Sequence, residues 1–320
     1  MHELAEIDVR ILQELLVDGR KSFSCIAKEV HSSKDIIWKH YKELKKAGVI
    51  VGATTQTDCR KLGYSGVATI SISTETQNLA KTFEHLIKMP ELGVFRYYNA
   101  TNTLTVITHL HKLSDLQQIK ESINRQNKIN EIRTHLWLDV RNIPQNILGV
   151  KAEKNNSKTK FPAETDETIK IDATDLKIIE KLTQNGRTPF SSIAKELDLS
   201  TNTVVRRYEK LVENNFLKVC IQINPLKLGY QAILELNLAL SNQNETKEIA
   251  EKLSRIPGVS YIVKLGGIYD LMVVTLVKDC NDIIRINDEV IKIPDIKKID
   301  ALMRQIPAVW PSPNQYISTF

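Results

Sequence analysis

The side chains best placed to do chemistry lie between residues 200 and 209, STNTVVRRYE. If Val204, Tyr208 and Leu211 form the inward stripe of a helix, 3.6 residues per turn puts Asn202, Arg206 and Glu209 on the opposite face. Thr203 and Val205 then lie on its flanks, with Thr201 and Arg207 at its borders. Asn and Arg can make bidentate hydrogen bonds with base edges in a major groove, and hydroxyls can bind phosphate. A solvated face of a purely structural helical domain has the same make-up, so the pattern alone leaves both readings open. A second group is Gly266, Gly267, Tyr269 and Asp270. There the glycines either turn the chain between two strands, leaving Asp270 solvated, or frame a ligand. His109 and His111 share one strand face, as an ordinary half-exposed strand or as a site.

The elements that must hold these residues follow from periodicity. Ile193, Ala194 and Leu197 give the helix before residue 200 its own apolar stripe, and the two stripes can close on each other. Ala194 is small where helix backbones approach, Asp198-Leu199 spans the turn, and Ser200 is placed to cap the second helix. Residues 187–217 thus read as a helix-turn-helix.

Sliding the sequence by 167 residues lays Gly19–Glu29 on Gly186–Glu196 with eight of eleven pairs identical, so the chain is a tandem duplication. Each copy opens with a helix (7–16 and 175–183), continues into the helix pair, and adds a short apolar strand (49–53 and 217–223). After the repeated Leu-Gly-Tyr, copy two reads as strand 232–240, helix 245–254, strands 259–265 and 269–277, helix 281–291 and strand 296–306. That order is βαββαβ, a ferredoxin-like sheet with two helices on one face. Copy one repeats it more loosely over 65–138. The expected class is α+β: two tandem copies of a winged or helix-turn-helix head, each followed by a ferredoxin-like domain. The expected divisions are 1–58 for the first head, 59–141 for the first ferredoxin-like domain, 142–169 for a linker, 170–224 for the second head, 225–306 for the second ferredoxin-like domain and 307–320 for a tail. Residues 150–167 are polar and charged, a coil of roughly 21–25 Å span. The prolines after Ile306 place the tail along the surface, anchored by Trp310.

The net charge is +6, of which 1–64 carries +2 and 170–230 carries +3, so the excess sits in the two helical heads as a polyanion-binding module would want. Cys25, Cys59, Cys220 and Cys280 have no metal-ligand spacing, so neither a metal nor a disulfide framework is expected, and the reduced cytoplasm is the expected location. No apolar run of 18 residues and no signal peptide stand out, and there is no P-loop, GxGxxG or GxSxG, so no cofactor is expected.

In this order of parts the chain resembles the Lrp/AsnC family, the leucine-responsive or feast/famine transcription regulators. The likeness rests on Asp175 and Ile178, Gly186-Arg187, Ile193-Ala194, Ser200, Val204-Val205-Arg206-Arg207, Leu211, the run Asn224–Tyr230, and Gly266 with Asp270. It covers nearly the whole chain, twice. The resemblance implies a double-stranded DNA partner, RAM-type sheet domains that pair, and a small effector, often an amino acid, near Gly266, Gly267, Tyr269 and Asp270. DNA contacts are then expected from Ser200, Thr201, Asn202, Thr203, Arg206 and Arg207 in copy two, and from Lys34, Asp35, Trp38, Lys39, His40 and Lys42 in copy one. Lysine lacks the planar fork that reads guanine, so copy one is expected to hold DNA with less base information. Trp38 either stacks on DNA or tucks against its own domain. Asn99 and Thr103 replace Gly266 and Asp270, so copy one is not expected to bind an amino acid in the family's manner. One chain is expected to fold as a pseudo-dimer on an asymmetric site, with further homo-oligomerisation open. The alternatives are a siroheme decarboxylase-like tandem enzyme, which the same architecture resembles, or a sensor or scaffold whose heads no longer bind DNA.

Overall fold

In the computed structural model, residues 3–89, 92–98, 103–125, 129–148 and 170–311 are described. Copy one runs α1 (Glu6–Val17), α2 (Phe23–Glu29), α3 (Lys34–Lys46), β1 (Ile50–Thr57), β2 (Gly66–Thr74), α4 (Leu79–Leu86), β3 (Leu92–Tyr98), β4 (Thr103–Leu110), α5 (Asp115–Asn124) and β5 (Ile129–Asn142). Copy two runs α6 (Ala173–Gln184), α7 (Phe190–Leu197), α8 (Thr201–Glu213), β6 (Leu217–Ile223), β7 (Ala232–Leu240), α9 (Thr246–Ser254), β8 (Val259–Gly266), β9 (Leu271–Val277), α10 (Cys280–Ile291) and β10 (Ile296–Gln305). The chain divides into two compact units, one holding both helical heads and one holding both sheets.

In the head unit, β1 and β6 pair antiparallel from Gly52↔Gln222 to Thr57↔Leu217, joining one copy to the other. Strand 49–53 was expected to be short, and β1 instead runs to Thr57. Its polar half reads as loop in isolation, yet Thr54, Thr55 and Gln56 are buried. The other copy satisfies the two threonines: the Thr54 hydroxyl donates to the Thr183 carbonyl at 3.0 Å, and Thr55 shares a 2.5 Å hydrogen bond with the Thr183 hydroxyl. α1 packs on β6 and α6 on β1, so each first helix covers the strand of the opposite copy.

The Gly-Arg of the sequence repeat forms a reciprocal clasp. Gly19 N–H donates to Val219 and Gly186 N–H to Ala53, both at 2.8 Å. The Arg20 guanidinium donates to the Gly186 and Thr188 carbonyls at 2.6 and 3.0 Å, and Arg187 returns the bond to the Gly19 carbonyl at 2.7 Å. Arg20 lies over the Phe190 ring at 3.9 Å, and Arg187 over Phe23 at 4.8 Å. The tail adds to the same ribbon: Trp310, buried rather than merely laid on the surface, exchanges two 2.8 Å backbone hydrogen bonds with Ile223.

In the sheet unit each copy forms its βαββαβ, and the two sheets merge at both edges. β5 pairs with β8 and β10 with β3, closing an eight-stranded antiparallel barrel in the order β10-β3-β4-β2-β5-β8-β9-β7. Closure removes free sheet edges. It also explains why β5 extends to Asn142 rather than stopping at 138, because its last residues pair with Tyr261–Lys264 of copy two. Helices cover the sheets over two apolar cores: Leu79, Leu86 and Ile123 lie on Ile70, Ile72 and Val106, and Ile249, Leu253, Ile286 and Val290 lie on Leu234, Leu236 and Val273. Residues 143–148, expected as the start of the linker, belong to this unit: Ile143 N–H donates to Ser260 at 2.8 Å and the Asn146 amide to Ser254 at 2.9 Å. The rest of the expected linker, 149–169, and the tail beyond residue 311 lie outside the described residues. No helix among the described residues is long and apolar enough to cross a membrane.

Candidate nucleic-acid interface and effector hairpin

The helix-turn-helix of copy two is built as its periodicity demands. Ile193, Ala194, Val204 and Leu211 are buried between α7 and α8. Asp198 takes the left-handed conformation (φ 54°) that lets the chain reverse, and Leu199 N–H closes the turn on Ala194 at 2.9 Å. Ser200 caps α8 by accepting from Thr203 N–H at 3.1 Å, and its hydroxyl also meets the Thr203 hydroxyl at 2.8 Å. Thr201, Asn202, Arg206 and Glu209 are exposed in a row beyond that cap.

Arg207 does not join them. Its guanidinium forks onto Asp172 and Asp175, each at 2.8 Å, and those two carboxylates hold its pKa up. Asp175 is buried, so the arginine neutralises a carboxylate that would otherwise be stranded in the head. In copy one His40 is likewise turned to its own domain, with Nδ1 2.8 Å from the buried Asp8. Lys34, Asp35, Lys39 and Lys42 are exposed on α3, so that face offers mainly point charges. Trp38 packs on its own domain yet stays 42% exposed: it stacks on Tyr41 with centroids 5.8 Å apart and has Phe23 at 5.3 Å, while Lys42 lies over its ring at 5.0 Å.

The hairpin β8–β9 turns at Gly267–Asp270. Asp270 is not a solvated carboxylate. It accepts from Leu240 N–H and from the Gln243 amide, each at 2.8 Å, and so ties the loop after β7 to the hairpin. Asp270→Ala is expected to cost about 1 kcal/mol in urea unfolding through the loss of these two bonds. A free, idle carboxylate there would leave the midpoint unchanged. Tyr269 is buried and its hydroxyl donates to Asp300, which Lys298 also binds at 2.8 Å. Burial, then the Asp300 carboxylate, raises the Tyr269 pKa.

His135 was not singled out from the sequence. It stands on β5 of copy one, buried, with its ring 5.4 Å from Tyr269. A Cβ on Gly267 would come within 2.7 Å of that imidazole, so glycine is required there by close approach. Burial, then the Arg133 charge, lowers the His135 pKa. The hairpin site therefore draws on both copies, which no pattern within either one reveals. A Cβ added at Gly266 would lie 3.5 Å from the Leu138 side chain, also from copy one. Asn99, the counterpart of Gly266, lies outside the described residues, and Thr103 is buried at the start of β4.

His109 and His111 both pack on Tyr64, with centroids 5.4 and 4.2 Å away. Burial pushes the His109 pKa down to about 4. Its imidazole is thus expected to be neutral at pH 7, and an NMR titration should find a midpoint near 4 rather than near the usual ~6.5. No cluster of three or more His, Cys, Asp or Glu that could hold a metal occurs among the described residues.

Three family models match this chain: a winged helix-turn-helix DNA-binding model over 4–51, the AsnC-type helix-turn-helix domain over 171–212, and the Lrp/AsnC ligand binding domain over 231–304. The HTH-type transcriptional regulator LysM of Saccharolobus solfataricus is 36% identical over 120 residues, 38% of this chain and 83% of that protein. The regulator LrpA of Pyrococcus horikoshii is 32% identical over 140 residues, 43% of this chain and 95% of its own. Among solved structures, the siroheme decarboxylase NirDL aligns over 93% of this chain and 91% of that one, with a TM-score of 0.62 at 17% identity. That likeness is one of fold, and it extends over both copies. With two regulator-type heads, a ligand-binding-type sheet domain and regulators among its relatives, the chain belongs to the Lrp/AsnC family of DNA-binding transcription regulators.

Proposed function

We propose that one chain acts as a complete two-headed reader of an asymmetric DNA site, with copy two supplying most of the base recognition. The observation that carries this reading is the exposed row Thr201, Asn202 and Arg206 beside an Arg207 committed to its own head, against a copy-one helix whose exposed groups are mainly lysines. Planar Asn and Arg side chains discriminate bases, while lysines hold phosphate. Paired through β1 and β6, the heads address two dissimilar half-sites about one helical turn (~10 bp) apart. Genome-wide mapping of occupied sites tests this. The expected motif is asymmetric, with one informative half; a two-fold symmetric motif overturns it.

A small effector, of amino-acid type, binds by the Gly266-Gly267 backbone and tunes DNA affinity. Asp270 and Tyr269 enter as supports of that hairpin, since their polar groups already have partners. The protein works in the cytoplasm as a regulator rather than as an enzyme, and pairs of chains associate further. Anaerobic incubation with siroheme is expected to yield no decarboxylated product. Product formation would replace the regulator reading with the enzymatic one.

A further inference from the structure

The recognition helix of the first head exposes a large apolar side chain in its first turn. Ile37, Tyr41 and Leu44 of α3 face the head's core. Helical spacing then sets Asp35, Lys39 and Lys42 on the far side, with Ile36 next to Lys39. Ile36 is the third residue of the helix and is 45% exposed. Its backbone is held, because Ser33 caps α3 by accepting from the Ile36 N–H at 3.2 Å. A β-branched side chain in a helix has one dominant χ1 rotamer, so Ile36 is a stiff knob that loses little freedom when something covers it. Trp38, on the opposite flank, is already engaged by Tyr41 and Phe23, which leaves Ile36 as the free apolar end of the helix.

Its surroundings point to what covers it. In a helix-turn-helix the N-terminal residues of the second helix meet base edges in the major groove. Lys34, Lys39 and Lys42 are exposed on the same helix and suit a polyanion. Asp35, also exposed, is repelled by phosphate, which turns this end of α3 toward the groove floor between the two backbones. At the repeat-equivalent position copy two has Thr203, whose hydroxyl is spent on Ser200 at 2.8 Å, so that register has a methyl to offer there as well. The apolar group that base pairs present in the major groove is the C5-methyl of thymine. We propose that Ile36 is a specificity-determining residue that packs on a thymine methyl in the half-site held by the first head. The proposal rests on the DNA-reading function and adds to it: the half-site gripped mainly by charge still has one preferred base pair. Apolar contact is not screened by ions, so this preference outlasts the lysine contacts as salt rises.

The test uses duplexes that the full chain selects from a random-sequence pool, resynthesised with uracil for thymine in one half-site at a time. Uracil keeps every hydrogen-bonding group of thymine and lacks only the methyl. The half-site whose preference survives Arg206→Ala is the one the first head holds. Burial of one methyl is worth about fourfold in affinity, so wild type is expected to bind the uracil version of that half-site about fourfold more weakly. Ile36→Ala places a strong helix former at an exposed position, so the head keeps its fold, and this variant is expected to bind the thymine and uracil versions equally. No preferred thymine in that half-site, no loss on its replacement by uracil, or a loss that survives in Ile36→Ala overturns the proposal and leaves the DNA reading standing. A chain that selects no duplex overturns the DNA reading, and the proposal with it.

Discussion

Replacing Gly19 by alanine is expected to destabilise the paired heads by about 2–3 kcal/mol, the scale of forced overpacking with a hydrogen bond disturbed. An added Cβ would lie 2.7 to 2.9 Å from three backbone atoms of Cys220, where no flexible side chain can yield. β6 would have to retreat, stretching the Gly19–Val219 bond and the Arg187 bond to the Gly19 carbonyl. Elsewhere, glycine to alanine at an ordinary φ stabilises by about 0.4–1 kcal/mol through the unfolded chain, so the sign of the change isolates the contact. Gly186→Ala should cost less, because its nearest obstacle at 2.7 Å is a Val219 methyl, with the Thr54 backbone at 3.1 Å. Urea midpoints of the two variants, read with unchanged slopes, check this. A Gly19→Ala protein as stable as wild type would mean that the copies are not held together at this clasp.

The second large effect is on sequence reading. Arg206→Ala is expected to cost about 1–3 kcal/mol on a cognate site and to flatten the preference for that site over others. Lys39→Ala should weaken all sequences alike and lower the salt slope by about one. Arg207→Ala should act differently again: it strands the buried Asp175 and lowers the stability of the second head before it alters base preference. Equal, sequence-blind losses from Arg206→Ala and Lys39→Ala would remove copy two as the reader. A titration series across duplexes and salt concentrations distinguishes these outcomes.

The helix-turn-helix was legible in the sequence because its information is local. Val204 and Leu211 face inward at helical spacing, and that alone exposes Asn202 and Arg206. What escaped was written across the copies. Thr54 to Thr57 look like a polar loop until residues 217–220 are laid beside them and α6 covers them. His135 looks like an unremarked strand residue until Gly267 of the other copy closes on it. Arg207 and Arg206 are adjacent and identical in type, and only the position of Asp172 and Asp175 on α6 separates a structural arginine from an exposed one. The Gly-Arg pair was visible as the strongest part of the repeat. Its purpose was not, because a helix stop and a backbone approach both ask for glycine.

Because the barrel and the β1–β6 ribbon are each assembled from two copies joined in one polypeptide, such a regulator responds differently to its own abundance. A reader assembled from separate subunits comes apart on dilution, so its occupancy falls with a higher power of concentration. Here the second head arrives at the effective concentration set by the tether, however scarce the molecule is. Occupancy of a site by one chain should follow a simple first-order saturation curve down to a few molecules per cell, and neither head can be exchanged for that of a related protein.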